Sequence, residues 1–292
     1  MPTFPSSGPA TGSSSTTSLL NLIPDAQGHT FMGGPLGFYA GTVASGSDAT
    51  NIIDSTLIDS SGAQSWKGSS FYVYDGVAIG QKRFVQTVSL ATGTLILNRA
   101  LTSTPASGNH YWLLRDYSRD QWAAFANQAL REMRRKITYL QNTGVTGRRI
   151  AVPTGINPDD VIDIRRRALN DSTSPGNDTL PWYAFDYVSG NPVLRTDVDQ
   201  DGYELLWDVE ETYTASTETV FATDAETTDA PRDWLTAEMV SLALATLWST
   251  QVTDADQRRM DKRLGAAGRL VAGLRAKYTP GSGKRLISSD PM

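Results

Sequence analysis

The feature that most restricts the fold is a change of apolar period along the chain. Between about residues 36 and 115, β-branched and aromatic residues alternate with polar ones and are interrupted by glycine-bearing turns. A period of two sends successive side chains to opposite faces of a strand, so this stretch predicts a small antiparallel barrel or sandwich. The predicted strands are Thr50–Ile53, Ser70–Tyr74, Lys82–Val88, Thr94–Leu97 and His110–Leu114. From Ser118 the spacing becomes three and four, through Trp122, Phe125, Ala126, Ala129, Leu130, Met133, Ile137 and Leu140. That spacing predicts a core helix over 118–143, opened by a Ser118–Gln121 capping box and closed at Asn142-Thr143-Gly144. Period two returns over 148–222, with predicted strands at Arg149–Val152, Val161–Arg166, Tyr183–Val188, Pro192–Thr196, Tyr203–Trp207 and Glu211–Thr214. Residues 229–278 are predicted helical, with a second start at Thr253 and a seam of Met260, Leu264, Ala267, Val271, Leu274 and Tyr278 before Pro280.

The expected architecture is therefore α+β: a helical bundle core, two antiparallel β-rich units of barrel or sandwich type, and extended terminal arms. In the bundle, Trp122, Phe125, Leu130 and Met133 are expected to pack against Leu235, Met239, Leu242, Leu264 and Val271, because each helix has one apolar face that needs a partner. The β-rich units cover 19–117 and 148–222, and the helices over 229–278 pack on the core helix. Residues 1–18 are almost all Ser, Thr, Gly, Pro and Ala, and 279–292 form a second polar tail. Such segments bury too little to offset the entropy of ordering, so both are expected to be arms.

Composition narrows the chemistry. The chain has no cysteine, which removes disulfides, thiol nucleophiles, cysteine-based zinc sites and iron–sulfur clusters. It has two histidines, His29 and His110, too few for a histidine-rich metal centre. No apolar run is long enough to span a bilayer, and the first residues lack the basic start and apolar core of a signal peptide, so folding in a cytosol without a membrane is expected. The net charge of −5 hides an asymmetry: residues 197–238 hold thirteen acidic residues and one basic, whereas 251–292 hold four acidic and nine basic. Either these are two solvated faces, or the acidic segment of one copy meets the basic segment of the next.

Candidate sites are few. Asp197, Asp199 and Asp201, with Gly202 at the bend and Asp208 at the twelfth position, have the spacing of a calcium loop. The flanks read as strands rather than EF-hand helices, and Asp takes the place of the usual bidentate Glu. The expectation is an Asp-rich hairpin turn that works without calcium. Gly281-Ser282-Gly283-Lys284 has the look of a phosphate loop but lacks its strand, helix and full spacing. The basic triplets Arg134–Lys136 and Arg165–Arg167 suit phosphate contacts, solvated faces or salt bridges. Trp66, Tyr72, Trp112 and Trp182 are candidate stacking platforms for a carbohydrate. Glu210 and Glu211 are adjacent and so face opposite ways on a strand, which excludes them as an acid/base pair. No nucleophile triad is visible, and no cofactor or catalytic residue is expected.

One set of residues does resemble a known family. Asn51-Ile52-Ile53-Asp54-Ser55-Thr56-Leu57, Trp66-Lys67-Gly68 leading to Phe71 and Val73, Thr94–Leu97, and Pro105-Ala106-Ser107-Gly108-Asn109-His110-Tyr111 resemble a β module of tailed-bacteriophage virion proteins. In that module a strand ends in Asp–Leu, a second carries Trp/Tyr–x–Gly, and the exit reads Pro–Ala–x–Gly–(Asp/Asn)–x–Tyr. The following Trp122, Asn127, Ala129 and Leu130 resemble the helix of phage head-to-tail adaptor, or connector, proteins. The resemblance implies a non-enzymatic structural virion protein: a ring of about twelve identical subunits in the neck, joining the portal to the tail or to other neck proteins. DNA would pass through it without being read. In the tail, Lys284, Arg285, Leu286 and Ile287 are the expected portal contact, the basic pair meeting an acidic surface and the Leu-Ile pair giving something to bury. The alternative is a carbohydrate- or receptor-binding virion protein. A glycan-degrading enzyme is a third reading, and it would need two carboxylates across a groove.

Overall fold

The computed structural model describes residues 17–29, 37–58, 66–89, 91–169, 178–180, 182–215, 220–250 and 254–278. The terminal arms, including Lys284, Arg285, Leu286 and Ile287 and the Gly281–Lys284 motif, lie outside the described residues. The chain divides into two units, one of them discontinuous in sequence, over residues 14–132 and 214–275, and the other chiefly Met133–Tyr213. The first part of the discontinuous unit holds β1 (Thr17–Ser18), α1 (Leu19–Gln27), β2 (Phe38–Thr42), β3 (Asn51–Ile53), β4 (Ser70–Val73), β5 (Lys82–Ser89), β6 (Thr94–Leu97), β7 (His110–Leu114) and α2 (Arg119–Glu132). The inserted unit holds β8 (Arg134–Gln141), β9 (Arg149–Ala151), β10 (Val161–Ala168), β11 (Asp178–Thr179), β12 (Tyr183–Val188), β13 (Asn191–Thr196) and β14 (Tyr203–Thr212). The chain then returns through β15 (Thr227–Thr228), α3 (Arg232–Thr250) and α4 (Asp254–Tyr278).

In the discontinuous unit, six antiparallel strands are ordered β2-β7-β4-β5-β6-β3. The sheet curls into a half-barrel, and its two end strands approach each other where the Ala44 N–H donates to the Ile53 carbonyl at 2.7 Å. The concave side is filled by Ile52, Phe71, Val73, Val85, Leu95, Leu97, Tyr111 and Leu113, all buried. At the seam lies Asp54, 1% exposed. Its Oδ2 accepts from the hydroxyls of Tyr111 (2.8 Å) and Tyr39 (2.9 Å) and from the Thr42 N–H (3.1 Å). Its Oδ1 accepts from the Thr56 N–H (2.9 Å) and hydroxyl (2.6 Å). Two glycines make the space. A Cβ on Gly41 would lie 2.5 Å from Asp54 Oδ2, and one on Gly93, which has φ +63°, would lie 2.1 Å from the Asp54 carbonyl oxygen.

A helical layer completes this unit. α1 buries Leu19, Leu22, Ile23 and Ala26 despite carrying Pro24. The fully buried Gln27 joins α1 to α2: its Oε1 accepts from Trp122 Nε1 at 2.8 Å, and its Nε2 donates to Asp116 at 3.2 Å. α2 and α1 both pack on α3, whose Trp234, Leu235, Met239, Val240 and Leu244 are buried. The Tyr117 hydroxyl donates to the Ala243 carbonyl at 2.8 Å. The two-residue strands β1 and β15 pair Thr17 with Thr228, so the beginning of this unit is tied to its second segment just ahead of α3.

The inserted unit has a four-stranded sheet ordered β11-β10-β14-β8 and a three-stranded sheet ordered β12-β13-β9. Ile150, Ile164, Leu180, Tyr183, Leu194, Leu205, Trp207 and Val209 form one core between them.

These facts overturn the expected bundle. The protein is mostly β, built from antiparallel sheets, and among the described residues each unit has a cluster of buried apolar residues that belongs to its sheets. The predicted core helix ends at Glu132, and Arg134–Gln141 is strand β8. Met133, Ile137 and Leu140 fit a helical spacing, but Ile137, Thr138 and Tyr139 also suit a pleated surface, and pairing with β14 from Arg134–Thr212 to Gln141–Leu205 decides between them. Phe125, Leu242 and Leu264, expected at the bundle centre, are only half-buried. α1 and β2 were not foreseen, and Tyr203–Thr212 is one strand where two were expected.

Removing the Asp54 carboxylate leaves the buried Tyr111 hydroxyl and the donors of Tyr39, Thr42 and Thr56 without their acceptor at once. Asp54→Ala is expected to cost about 3 kcal/mol or more, and Tyr111→Phe, which removes one bond, about 1 kcal/mol, both measured by urea unfolding. Burial pushes the Asp54 pKa up, but the bonds from Thr56, Tyr111 and Tyr39 outweigh it and hold the pKa below the ordinary value. The unfolded chain therefore takes up this proton first. The contribution is present above about pH 4 and is lost as pH falls through the folded value. Stability measured from pH 5 to pH 2 should fall less steeply in Asp54→Asn than in the parent.

Candidate functional site

The calcium spacing does not survive folding. Asp197, Asp199 and Asp201 lie together on the exposed turn between β13 and β14. Asp199 Oδ1 accepts the Asp201 N–H within the turn at 2.9 Å, Asp201 Oδ1 accepts the N–H of Gly147 from the loop between β8 and β9 at 2.9 Å, and Gly202 has φ +80°. Gln200 is fully buried beneath it and donates to the Val198 carbonyl at 3.0 Å. Asp208 is elsewhere. It sits inside β14, 0% exposed, where Arg165 grips both oxygens (3.0 and 2.9 Å), Lys136 approaches to 2.7 Å and the Thr138 hydroxyl donates at 2.6 Å. Burial pushes the Asp208 pKa up, and Arg165, Lys136 and Thr138 pull it below the ordinary value. A carboxylate engaged in this way is a sheet component and is not available as a fourth ligand to the turn. Among the described residues, no group of three or more His, Asp or Glu is arranged to hold a metal ion.

The basic triplets are explained by the same sheet. Leu205, Trp207 and Val209 of β14 face the core, and Glu204 and Asp208 face the other way. Arg167 bonds Glu204 at 3.0 Å, Arg165 and Lys136 bond Asp208, and Arg166 lies over the Tyr203 ring at 4.9 Å. On the neighbouring strand Arg135 lies over Tyr213 at 5.2 Å. Lys136, Arg165 and Arg167 are thus the cationic half of a charge ladder whose acidic half is Asp208 and Glu204 of β14, and Arg135 and Arg166 lie over tyrosine rings.

The proposed stacking platforms mostly face inward. Trp66, Tyr72 and Trp112 are buried, and only Trp182, 43% exposed beneath Arg195, is open to a ligand. His110 is exposed, stacks on Tyr74 and pairs with Asp75 at 2.5 Å. Sequence reasoning missed an open cleft of about 450 Å³ beside β5, lined by Ser70, Lys82, Arg83, Phe84, Arg99 and Asp120. Among the described residues its lining carboxylate is Asp120, which is paired with Lys82 and faces no second carboxylate of the lining. The sign of it in the sequence is Lys82 and Phe84, two apart and so on one face of a strand.

Among the described residues, no helix is long and apolar enough to cross a membrane. Compared with family models, curated proteins and solved structures, the chain matches none.

Two substitutions separate the roles of the aspartates. Asp208→Ala leaves Arg165 and Lys136 without a partner and is expected to cost about 3–5 kcal/mol in denaturant unfolding, whereas Asp199→Ala on the exposed turn should stay within about 0.5 kcal/mol. Added calcium or a chelator should leave the melting temperature unchanged. A calcium-dependent rise abolished by Asp199→Ala would reverse this assignment.

Proposed function

We propose that this chain is a structural virion protein that forms a ring in the neck of a tailed bacteriophage, joining the portal to the tail and letting DNA pass. The observation that carries the reading is where the residues of the resemblance lie. Asp54, Thr56, Trp66, Phe71, Leu95, Leu97 and Tyr111 are the parts of one half-barrel, and its Asp and Tyr bond each other. Residues that resemble the phage module are therefore bonded and packed as a module, which a chance string of short motifs would not require. One further observation supports the reading: of the candidate stacking platforms of the receptor-binding alternative, Trp66, Tyr72 and Trp112 are buried, which leaves it Trp182.

The test is the particle. Purified protein imaged by negative stain, alone and with isolated phage heads, is expected to give rings with a central channel, of roughly twelve copies. Truncation after Tyr278 is expected to leave the rings intact while heads fail to retain them at moderate salt, because the removed tail carries Lys284, Arg285, Leu286 and Ile287. Monomers under all conditions, or glycan-array binding lost with Trp182→Ala, would overturn the proposal.

A further inference from the structure

The side of α4 that faces away from its own unit is unlike the rest of the chain. Met260, Ala267 and Val271 are buried and define the inner seam. At 100° per residue, Arg258, Lys262 and Arg269 fall on the opposite side, with Arg259 at its flank, and all four are exposed. From residue 257 to 278 the helix carries seven cations and one carboxylate, Asp261. Asp261 accepts from the Trp248 indole at 2.7 Å, and of the cations Arg275 is paired with Glu238 at 3.2 Å. Among the described residues, no carboxylate is in ion-pair range of Arg258, Arg259, Lys262 or Arg269. Between or beside these cations the outer face holds Gly265, Ala272 and Gly273, with Gly268 on the flank, all exposed. A Cβ added at Gly268 or Gly273 would meet nothing within 4 Å, so the packing of this chain does not require glycine there. Glycine in a helix interior is unfavourable relative to alanine, and here it lowers the surface between the cations so that another backbone can approach closely.

The inserted unit carries a surface of the complementary kind. The turn between β13 and β14 presents Asp197, Asp199 and Asp201, exposed and without a cation partner among the described residues, around the exposed Val198. α4 likewise carries the exposed Leu270 beside Arg269. The turn is held in shape by Gln200 and by its own side-chain bonds, so little ordering remains to be done when it docks.

We infer that the outer face of α4 docks on the Asp197–Asp201 turn of a second copy of this chain. Each copy offers one cationic helix face and one acidic turn, and the contact joins unlike surfaces. Such a contact repeats around a ring or along a filament and does not stop at a pair. Charge supplies register and a salt-dependent association, and Leu270 and Val198 supply the apolar centre. The inference rests on the neck-ring reading and names the contact that would close the ring.

The experiment uses the full-length chain and mass photometry at low and high salt. Arg258→Glu/Lys262→Glu/Arg269→Glu is expected to weaken assembly roughly tenfold or more, as is Asp197→Lys/Asp199→Lys. An equimolar mixture of the two variants is expected to assemble again, because every contact in an alternating ring then joins opposite charges. All these positions are exposed, and an unchanged melting temperature in each variant confirms that folding is intact. If both variants assemble like the parent, the ring reading stands and this contact is wrong. If the parent itself never assembles, both readings fall. If reversing the α4 charges leaves assembly unchanged but weakens binding of a labelled 30-base-pair duplex, the face belongs to DNA and the inference is overturned.

Discussion

A carboxylate taken out of water must be surrounded by donors or it unfolds the protein around it, and the half-barrel is organised by that requirement at Asp54. Three segments far apart in sequence supply the donors: Tyr39 and Thr42 from β2, Thr56 from the turn after β3, and Tyr111 from β7. With β2 and β3 at opposite ends of the strand order, a single side chain bonds both ends of the sheet and sets its curl. Gly41 and Gly93 follow from the same demand, since any larger residue would enter the space that the carboxylate and its own carbonyl occupy. The residues that looked like a family motif are those on which closure depends.

The inserted unit uses the same physics with different partners. Asp208 is as deeply buried as Asp54, yet it is held by two cations and a hydroxyl rather than by tyrosines and backbone N–H groups. One face of β14 is therefore apolar and packs the core, and the other is a buried ion ladder. The ladder gives β8 and β10 a reason to flank β14 in one register, because a slip by one residue would turn Lys136, Arg165 and Arg167 to the face opposite Asp208 and Glu204.

What was legible in the sequence was local. The alternation in His110–Leu114, Thr94–Leu97 and Tyr183–Val188 yielded those strands at their observed bounds, and Pro280 with the seam from Met260 yielded α4. Where two periods both fit, as at Met133, Ile137 and Leu140, the outcome depended on a partner strand some seventy residues away, which no local window contains. α1 was hidden because Pro24 reads as a breaker, although the apolar residues around it are buried against neighbouring helices. The aspartate turn shows the same limit from the side of chemistry. The spacing of Asp197, Asp199 and Asp201 marked a real cluster, but the alternation of β14 carried Asp208 to a different surface with different partners.

The pairing of β1 with β15 also constrains when the protein can become whole. The discontinuous unit needs α3 to cover α1 and α2, and α3 begins at Arg232, a hundred residues after α2 ends. At a synthesis rate of about 5–20 residues per second, the apolar side of α2 leaves the ribosome some 5–20 seconds before its cover begins to exist, and that of α1 some 10–40 seconds before. The described strands of the inserted unit all lie between Arg134 and Thr212, so its strand set is present during that interval. Translation thus delivers the strands of the inner unit within an unfinished outer one, and the nascent chain must pass through that interval with tryptophan and leucine uncovered at every round of synthesis.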